Sequence, residues 1–415
     1  MMKNRNLIVL AIIAMASVLK AADNDYEVAQ WHGFSKCAVT YTFDDNTSKQ
    51  LTVALPMFNK YNFKMTFYPV INWGPNWTEL KKAYENGHEV GSHTVTHPYL
   101  NQLDSASEEQ ELQQSFNTIN AQIGKGSCQT IAYPYCITGR IELLNKYFIG
   151  GRICSGEIVS ANPKDFFNLS SILVGSQSSI NSADKLNEKV NEAKSKNGWC
   201  VFLIHGIDND GGYSSIQSTE LDKNLSYLNE NNTDFWVTTF VGAIKYIKER
   251  SCISIQETFI NPDSIEVVVS DTLDNNVYNV PITIKRVVPA DWTSAKVYVD
   301  NNPVKCSYKV LNDIKYVIFD VVPDTQKVAI VKSDEPIPSS IKKVSSNIEI
   351  KQKGKSVIIK AKDKFSYYIY DSTGRIIKRG ENSNYALIEM QGHTGVYFLN
   401  ATSFEGNYLN KLIVL

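Results

Sequence analysis

From about residue 26 to residue 252, short apolar runs alternate with segments of helical periodicity, and beyond Ile253 the helical segments stop. That alternation constrains the fold more than any other feature of the chain. Two strands separated by a helix need a crossover, so they pair in parallel, with helices outside. Residues 38–43 and 63–68 read as buried strands, and between them Leu51, Val53, Ala54, Leu55 and Phe58 mark a helical face over 49–59. Helices are expected over 79–85 and 105–123, the second opened by Ser105 with Glu108 three residues on as a capping box. Residues 199–204 and 235–240 are further apolar runs of strand character. The fold class is α/β, a distorted (β/α) barrel over 26–252.

The texture then changes. Runs at 264–269, 280–287, 295–299 and 316–321 are short, β-rich and separated by Asp-Asn-Asn and Asn-Asn-Pro turns. They predict a small β-sandwich over 253–333. Residues 334–346 read as a linker, and 347–415 as a second small β-sandwich with Gly at 374, 380, 392, 395 and 406. At the other end, Lys3 and Arg5 precede a 13-residue apolar stretch to Leu19, followed by Ala21 and Ala22. This is too short for a membrane span and has the layout of a signal peptide over 1–22, so the expectation is export, with no transmembrane segment after its removal. Lys+Arg 42 against Asp+Glu 43 gives no field to attract nucleic acid or an anionic membrane. Seven cysteines leave at least one thiol outside any internal pair, and buried free thiols are the preferred reading over a disulfide network.

Three elements carry chemistry, each at or near the end of an apolar run: Thr42-Phe43-Asp44-Asp45, His93-Thr94-Val95-Thr96-His97 and Leu203-Ile204-His205-Gly206. Two adjacent carboxylates that share a dry site take different tasks, one as cation ligand and one as base. Six histidines in 415 residues make a four-residue spacing uncommon by chance, and His93 and His97 have it. Such a pair chelates one ion, and a carboxylate completes a three-ligand set with positions left for water and substrate. Thr94 stands where a zinc peptidase would carry its glutamate, which sets a peptidase aside. His205, titrating nearest neutrality, is the natural general acid.

In order and spacing these elements resemble the NodB-type polysaccharide deacetylases of carbohydrate esterase family 4, over roughly residues 36–250. The resemblance implies Asp44 as catalytic base, Asp45, His93 and His97 as ligands of a divalent metal (Zn first, with Co or Ni allowed by the same donors), and His205 as catalytic acid. Two family motifs differ. Ala132 stands where an arginine orients the base, although Pro134-Tyr135 persists and the Tyr135 N–H would face the oxyanion; Asp-x-x-Asp-Trp is not recognisable. Arg152 is the candidate replacement for the missing cation. The implied function is an exported deacetylase of acetylated polysaccharide, N-acetyl or O-acetyl; the alternative is a non-catalytic carbohydrate-binding protein on the same scaffold. Finally, Tyr370-Asp371-Ser-Thr-Gly374-Arg375, Gly395-Val396-Tyr397-Phe398 and the ending Lys411 to Leu415 resemble a type IX secretion sorting domain. That implies the type IX machinery as a partner and a secreted or cell-surface location.

Overall fold

The computed structural model describes residues 25–324, 327–334 and, with short breaks, 348–414. The chain divides into two compact units, one ending at Lys332 and one running from Ser333 to Leu415. The first opens with β1 (Tyr26–Val28), β2 (Cys37–Asp44), α1 (Leu55–Lys60), β3 (Thr66–Tyr68), α2 (Trp77–Glu85), β4 (Glu89–Val90) and α3 (Ser105–Gln122). It continues with β5 (Thr130–Ala132), α4 (Ile141–Leu144), β6 (Gly150–Arg152), β7 (Ile172–Leu173), α5 (Ala183–Ser195), β8 (Trp199–Ile204), α6 (Ser218–Glu230), β9 (Phe235–Val237) and α7 (Phe240–Cys252).

Strands β2 to β9 pair with one another in parallel. β2 lies between β3 and β8, β9 joins its first residues, β4 joins β3, and β7 joins β8. β5 and β6 form a second parallel pair. Single parallel bridges, Ser92 to Ile131 and Arg152 to Leu169, link this pair to β4 on one side and to the stretch leading into β7 on the other. The links therefore run round a ring.

Alternation along β2 shows why its sequence is nearly continuous in apolar residues. Cys37, Val39, Tyr41 and Phe43 point outward into a core shared with Phe58, Leu80, Leu112, Leu186 and Leu225 of the helices. Ala38 points inward, with Tyr68, Ala132, Trp199 and Val201, against Phe240, Ala243 and Ile244 of α7. The polar exceptions, Thr40 and Thr42, donate their hydroxyls to Thr238 O (2.9 Å) and Phe202 O (2.7 Å), so neither hydroxyl is stranded.

Three local expectations change. Ser105 does not cap α3: Asp104 is the N-cap and accepts from Ser107 N at 2.8 Å, while Glu108 is turned to Arg140. The helix expected over 49–59 opens with a wide turn, Gln50–Ala54, in which Leu55 N–H reaches back to Gln50 O, and Pro56 has no N–H to offer the next carbonyl. Residues 235–240 split into strand and helix, because Thr239 caps α7 by accepting from Gly242 N.

The remaining elements of this unit are β10 (Ser254–Asn261), β11 (Ser264–Ser270), β12 (Ile282–Val287), β13 (Ala295–Val299), β14 (Asn302–Val304), β15 (Cys306–Leu311), β16 (Ile314–Val321) and β17 (Val328–Lys332). They form two antiparallel sheets, β10-β11-β17-β13-β14 and β1-β12-β16-β15, around Val267, Ile284, Trp292, Val317, Phe319 and Ile330. A boundary at 252/253 cuts through this core. β1 pairs with β12 instead of joining the ring, and Tyr246 of α7 packs into the same cluster and donates to Ala29 O at 3.0 Å.

The second unit holds β18 (Ile348–Lys353), β19 (Ser356–Asp371), β20 (Ile376–Glu389), β21 (Gly395–Ser403) and β22 (Gly406–Val414) in one antiparallel sheet, with Val357, Ile359, Ile369 and Leu399 buried. The expected signal peptide, nearly all of the linker, and Gly374 and Arg375 of the sorting motif lie outside the described residues. No helix among the described residues is long and apolar enough to cross a membrane.

Candidate active site and metal centre

The ring delivers the candidate residues to one place because each sits where a parallel strand ends. Asp44 is the last residue of β2, Arg152 the last of β6, and His205 follows β8 directly. Asp45 turns away from the strand with φ 71°, which lets both carboxylates of the Asp-Asp pair face one pocket. His93 leaves β4 through Gly91, where a Cβ would lie 2.3 Å from the Tyr68 ring and 2.9 Å from Thr130 O; only glycine fits. The pocket, about 440 Å³, is lined by Asp44, Asp45, His93, His97, Tyr135 and His205, with Tyr133, Leu173, Leu203, Tyr213 and Cys136 and Cys154 completing its wall. Six of the seven candidates therefore line it, and the seventh, Arg152, lies buried against Asp44.

Arg152 and Ala132 are partners in register on β6 and β5. Both face the ring interior. The small Ala132 leaves room for the long side chain beside it, and the guanidinium crosses to form an ion pair with Asp44 Oδ1 through Nη2, above the Tyr68 ring (5.2 Å to its centroid). Burial alone pushes the Asp44 carboxyl up, but Arg152, with His93 and His205, outweighs it and holds the group below its ordinary range. Asp45 goes the other way: burial and the Asp44 charge push it up to about 7, against a lesser pull from Arg152. Two neighbouring carboxyls are thus driven apart in acidity, Asp44 staying ionised and Asp45 reluctant to ionise without a cation beside it.

That need is visible in the geometry. Asp45 Oδ1 is buried without a hydrogen-bond partner, 3.6 Å from His93 Nε2 and 3.9 Å from His97 Nε2. His93 donates from Nδ1 to Ala132 O at 2.8 Å, which leaves the lone pair of Nε2 directed at the carboxylates. Burial lowers the His93 pKa to about 4 and lowers that of His97 too, so both rings are neutral, as metal ligands must be. Tetrahedral ligands at zinc-type bond lengths sit about 3.4 Å apart, near the spacings seen. Asp45, His93 and His97 form a possible metal-binding triad, the one such group among the described residues.

His205 completes the floor. Its Nε2 lies 4.0 Å from Asp45 Oδ2, its buried Nδ1 has no partner, and burial lowers its pKa. The nearby carboxylates do not reach it: Asp208 accepts from Ser218 N and Asp210 from Ile207 N and Gly212 N.

Several supporting residues escape sequence reasoning. Glu111 of α3 grips the histidine loop, accepting from Val95 N (2.8 Å), Thr96 N (3.0 Å) and Thr96 Oγ1 (2.7 Å). Thr94 and His97 in that loop are left-handed, φ 66° and 62°. Cys136 and Cys154 are joined as a disulfide, the one exception to the expected free thiols; Cys37, Cys128, Cys200, Cys252 and Cys306 remain free. Of the aromatics at hand, Trp73 (50% exposed) lies 5.1 Å from the His97 ring, and Tyr99 stacks on Tyr135 at 3.8 Å. Trp77 and Trp236 pack against cores instead.

Residues 33–141 match the family model described as polysaccharide deacetylase. A gellan lyase of Bacillus sp is 25% identical over 334 residues, 74% of this chain and 13% of that protein. The uncharacterized protein YlxY of Bacillus subtilis (strain 168) is 32% identical over 78 residues, 19% of this chain and 24% of that protein. The chain thus spans less than a quarter of the length of these curated relatives. Among solved structures, the Xyl-CE4 domain of a multidomain xylanase from the hindgut metagenome of Trinervitermes trinervoides is 15% identical, covering 50% of this chain and 90% of that one, with a TM-score of 0.37. The peptidoglycan deacetylase PdaC from Bacillus subtilis is 16% identical, covering 52% and 93%, with a TM-score of 0.38. The segment that contributes Asp44, Asp45, His93, His97 and Tyr135 carries the match to the polysaccharide deacetylase family.

Proposed function

We propose that the chain is an exported, metal-dependent polysaccharide deacetylase that hydrolyses N-acetyl groups of amino-sugar polymers or O-acetyl groups of xylan-type hemicellulose. The observation that carries this reading is the pairing of an ionised Asp44, held by Arg152, with an unpartnered Asp45 facing two neutral imidazoles. Asp45, His93 and His97 would hold a divalent ion, which would supply Lewis-acid chemistry towards water and an acyl carbon at that point. Asp44 takes the proton from the attacking water, and Arg152 fixes its orientation and keeps it charged. The Tyr135 N–H, on a backbone turned to φ 57°, serves the developing oxyanion. His205 passes a proton to the departing sugar nitrogen or oxygen. Zinc suits the mixed nitrogen and oxygen donors best, with cobalt or nickel as alternatives. The N-terminal segment and the C-terminal motifs support export and delivery through a type IX pathway to the outside or the cell surface.

The test is acetate release from acetylated xylan, chitin oligomers and peptidoglycan. Release that stops with chelator, returns with metal, and is absent in Asp44→Asn supports the reading; no acetate from any substrate under any metal contradicts it. A second reading, a non-catalytic carbohydrate-binding protein, is favoured by one feature: the buried His205 Nδ1 has no carboxylate to orient it. Glycan binding without acetate release would select that reading.

A further inference from the structure

The backbone ladder between β5 and β6 stops where the site begins. Ala132 and Arg152 are its last partners in register, and Tyr133 N adds one long bond to Arg152 O (3.4 Å). Past that point the strands part. Ile153 N turns to Leu169 O (2.9 Å), while residues 134–136 fold into a tight turn in which Cys136 N donates to Tyr133 O (3.0 Å) and Ile137 N to Pro134 O (3.3 Å). The Cys136–Cys154 disulfide bridges the gap, with Cα atoms 5.5 Å apart, and both cysteines line the pocket. It joins the residue after Tyr135 to the second residue after Arg152.

Within the turn, Tyr135 (φ 57°) and Cys136 (φ 64°) are both left-handed. Asp45-Asn46, Asp208-Asn209, Asp300-Asn301 and Asn312-Asp313 share that conformation, but Asp and Asn tolerate it, whereas Tyr and Cys rarely adopt it. Such a turn persists only where its surroundings fix it. The Tyr135 ring contributes by stacking on Tyr99 at 3.8 Å and standing edge-on to His97 at 4.7 Å, although it is 50% exposed. The disulfide supplies the covalent tie, to the strand that carries Arg152. We propose that this disulfide is a positioning device of the active site, holding the Tyr135 N–H in one frame with the Arg152–Asp44 ion pair. The assignment rests on the deacetylase reading, in which that N–H serves the oxyanion, and adds to it a dependence of turnover on the oxidation state of one bond. A bond that served stability alone would raise the melting temperature and leave turnover well below the melt unchanged.

The test compares the full wild-type chain, the same chain reduced with tris(2-carboxyethyl)phosphine, and Cys136→Ser with Cys154→Ser together, with metal content and thiols counted in each. The phosphine opens the S–S bond to two thiols and becomes its oxide by taking oxygen from water, whose two protons go to the sulfurs. In both altered forms kcat for acetate release is expected to fall about 10- to 100-fold well below the melt, with KM and bound metal unchanged. The Cys136 and Ile137 amides are expected to exchange hydrogen faster, and reoxidation to restore the wild type. Full turnover from a reduced chain that shows two additional thiols overturns the proposal, as does an equal loss when the phosphine is added to the double variant. If exchange quickens but the oxidised wild type frees no acetate, the clamp on the turn stands and the deacetylase reading falls.

Discussion

Ala132 and Arg152 face each other across β5 and β6, and the exchange of size and charge between them decides the state of Asp44. Removing the guanidinium leaves a buried carboxylate without its main counter-charge, while the three metal-facing side chains keep their own supports. Arg152→Ala should therefore lower turnover about 10- to 100-fold with metal content unchanged, measured by acetate release beside elemental analysis. Equal turnover would remove Arg152 from the machinery. His88 offers a second test, away from the site. It is buried, accepts Met65 N–H at Nδ1 (3.1 Å) and meets Asn59 Oδ1 through Nε2 (3.0 Å), so it is held neutral; burial, helped by Lys64, lowers its pKa from 6.5 to about 4. The unfolded chain binds this proton more readily, so stability is intact above pH 6.5 and drains as pH falls towards 4, by on the order of 3 kcal/mol. His88→Gln should flatten that acid limb in denaturant titrations at stepped pH; a limb of equal slope would contradict the assignment.

At the scale of elements, α3 and the disulfide hold the loops that the ring leaves long. Glu111 satisfies two backbone N–H groups in a loop that carries left-handed Thr94 and His97, so it sets the separation of the two imidazoles. Glu111→Ala should weaken metal binding about 10- to 100-fold by competition with a chelator, with Glu111→Gln intermediate; unchanged affinity in both would reduce the contact to a surface tie. Short-range signals made much of this level legible. Thr42 to Asp45, His93 to His97 and Leu203 to His205 each combine a strand end with its chemistry in a few consecutive residues. Arg152 stands 108 residues from Asp44, and only closure of the ring brings them together. Glu111 is one carboxylate among many on a helix, and the cysteine pairing is a fact of three dimensions, with the Cα atoms 5.5 Å apart. The α3 cap was misread by one residue because Asp104 and Ser105 are both good caps in sequence.

For the whole molecule, the change of texture at residue 253 is real in secondary structure but does not mark a physical division. Tyr26–Val28, Tyr246 and the bond from Val280 N to Glu249 Oε1 (2.8 Å) tie the two regions into one unit. A chain ended after 332 should keep its melting temperature and its acetate release, whereas one ended after 252 exposes the core around Tyr246 and should fail to fold cooperatively. Equal thermal melts for the two truncations would restore the sequence boundary. The central claim, a cation held by Asp45, His93 and His97 beside a separate base, is tested most directly by measuring bound metal and acetate release on the same samples. The account expects one ion per wild-type chain, loss of both ion and activity in His93→Ala, and loss of activity with the ion retained in Asp44→Asn. Full acetate release from a His93→Ala chain that binds no metal would contradict it.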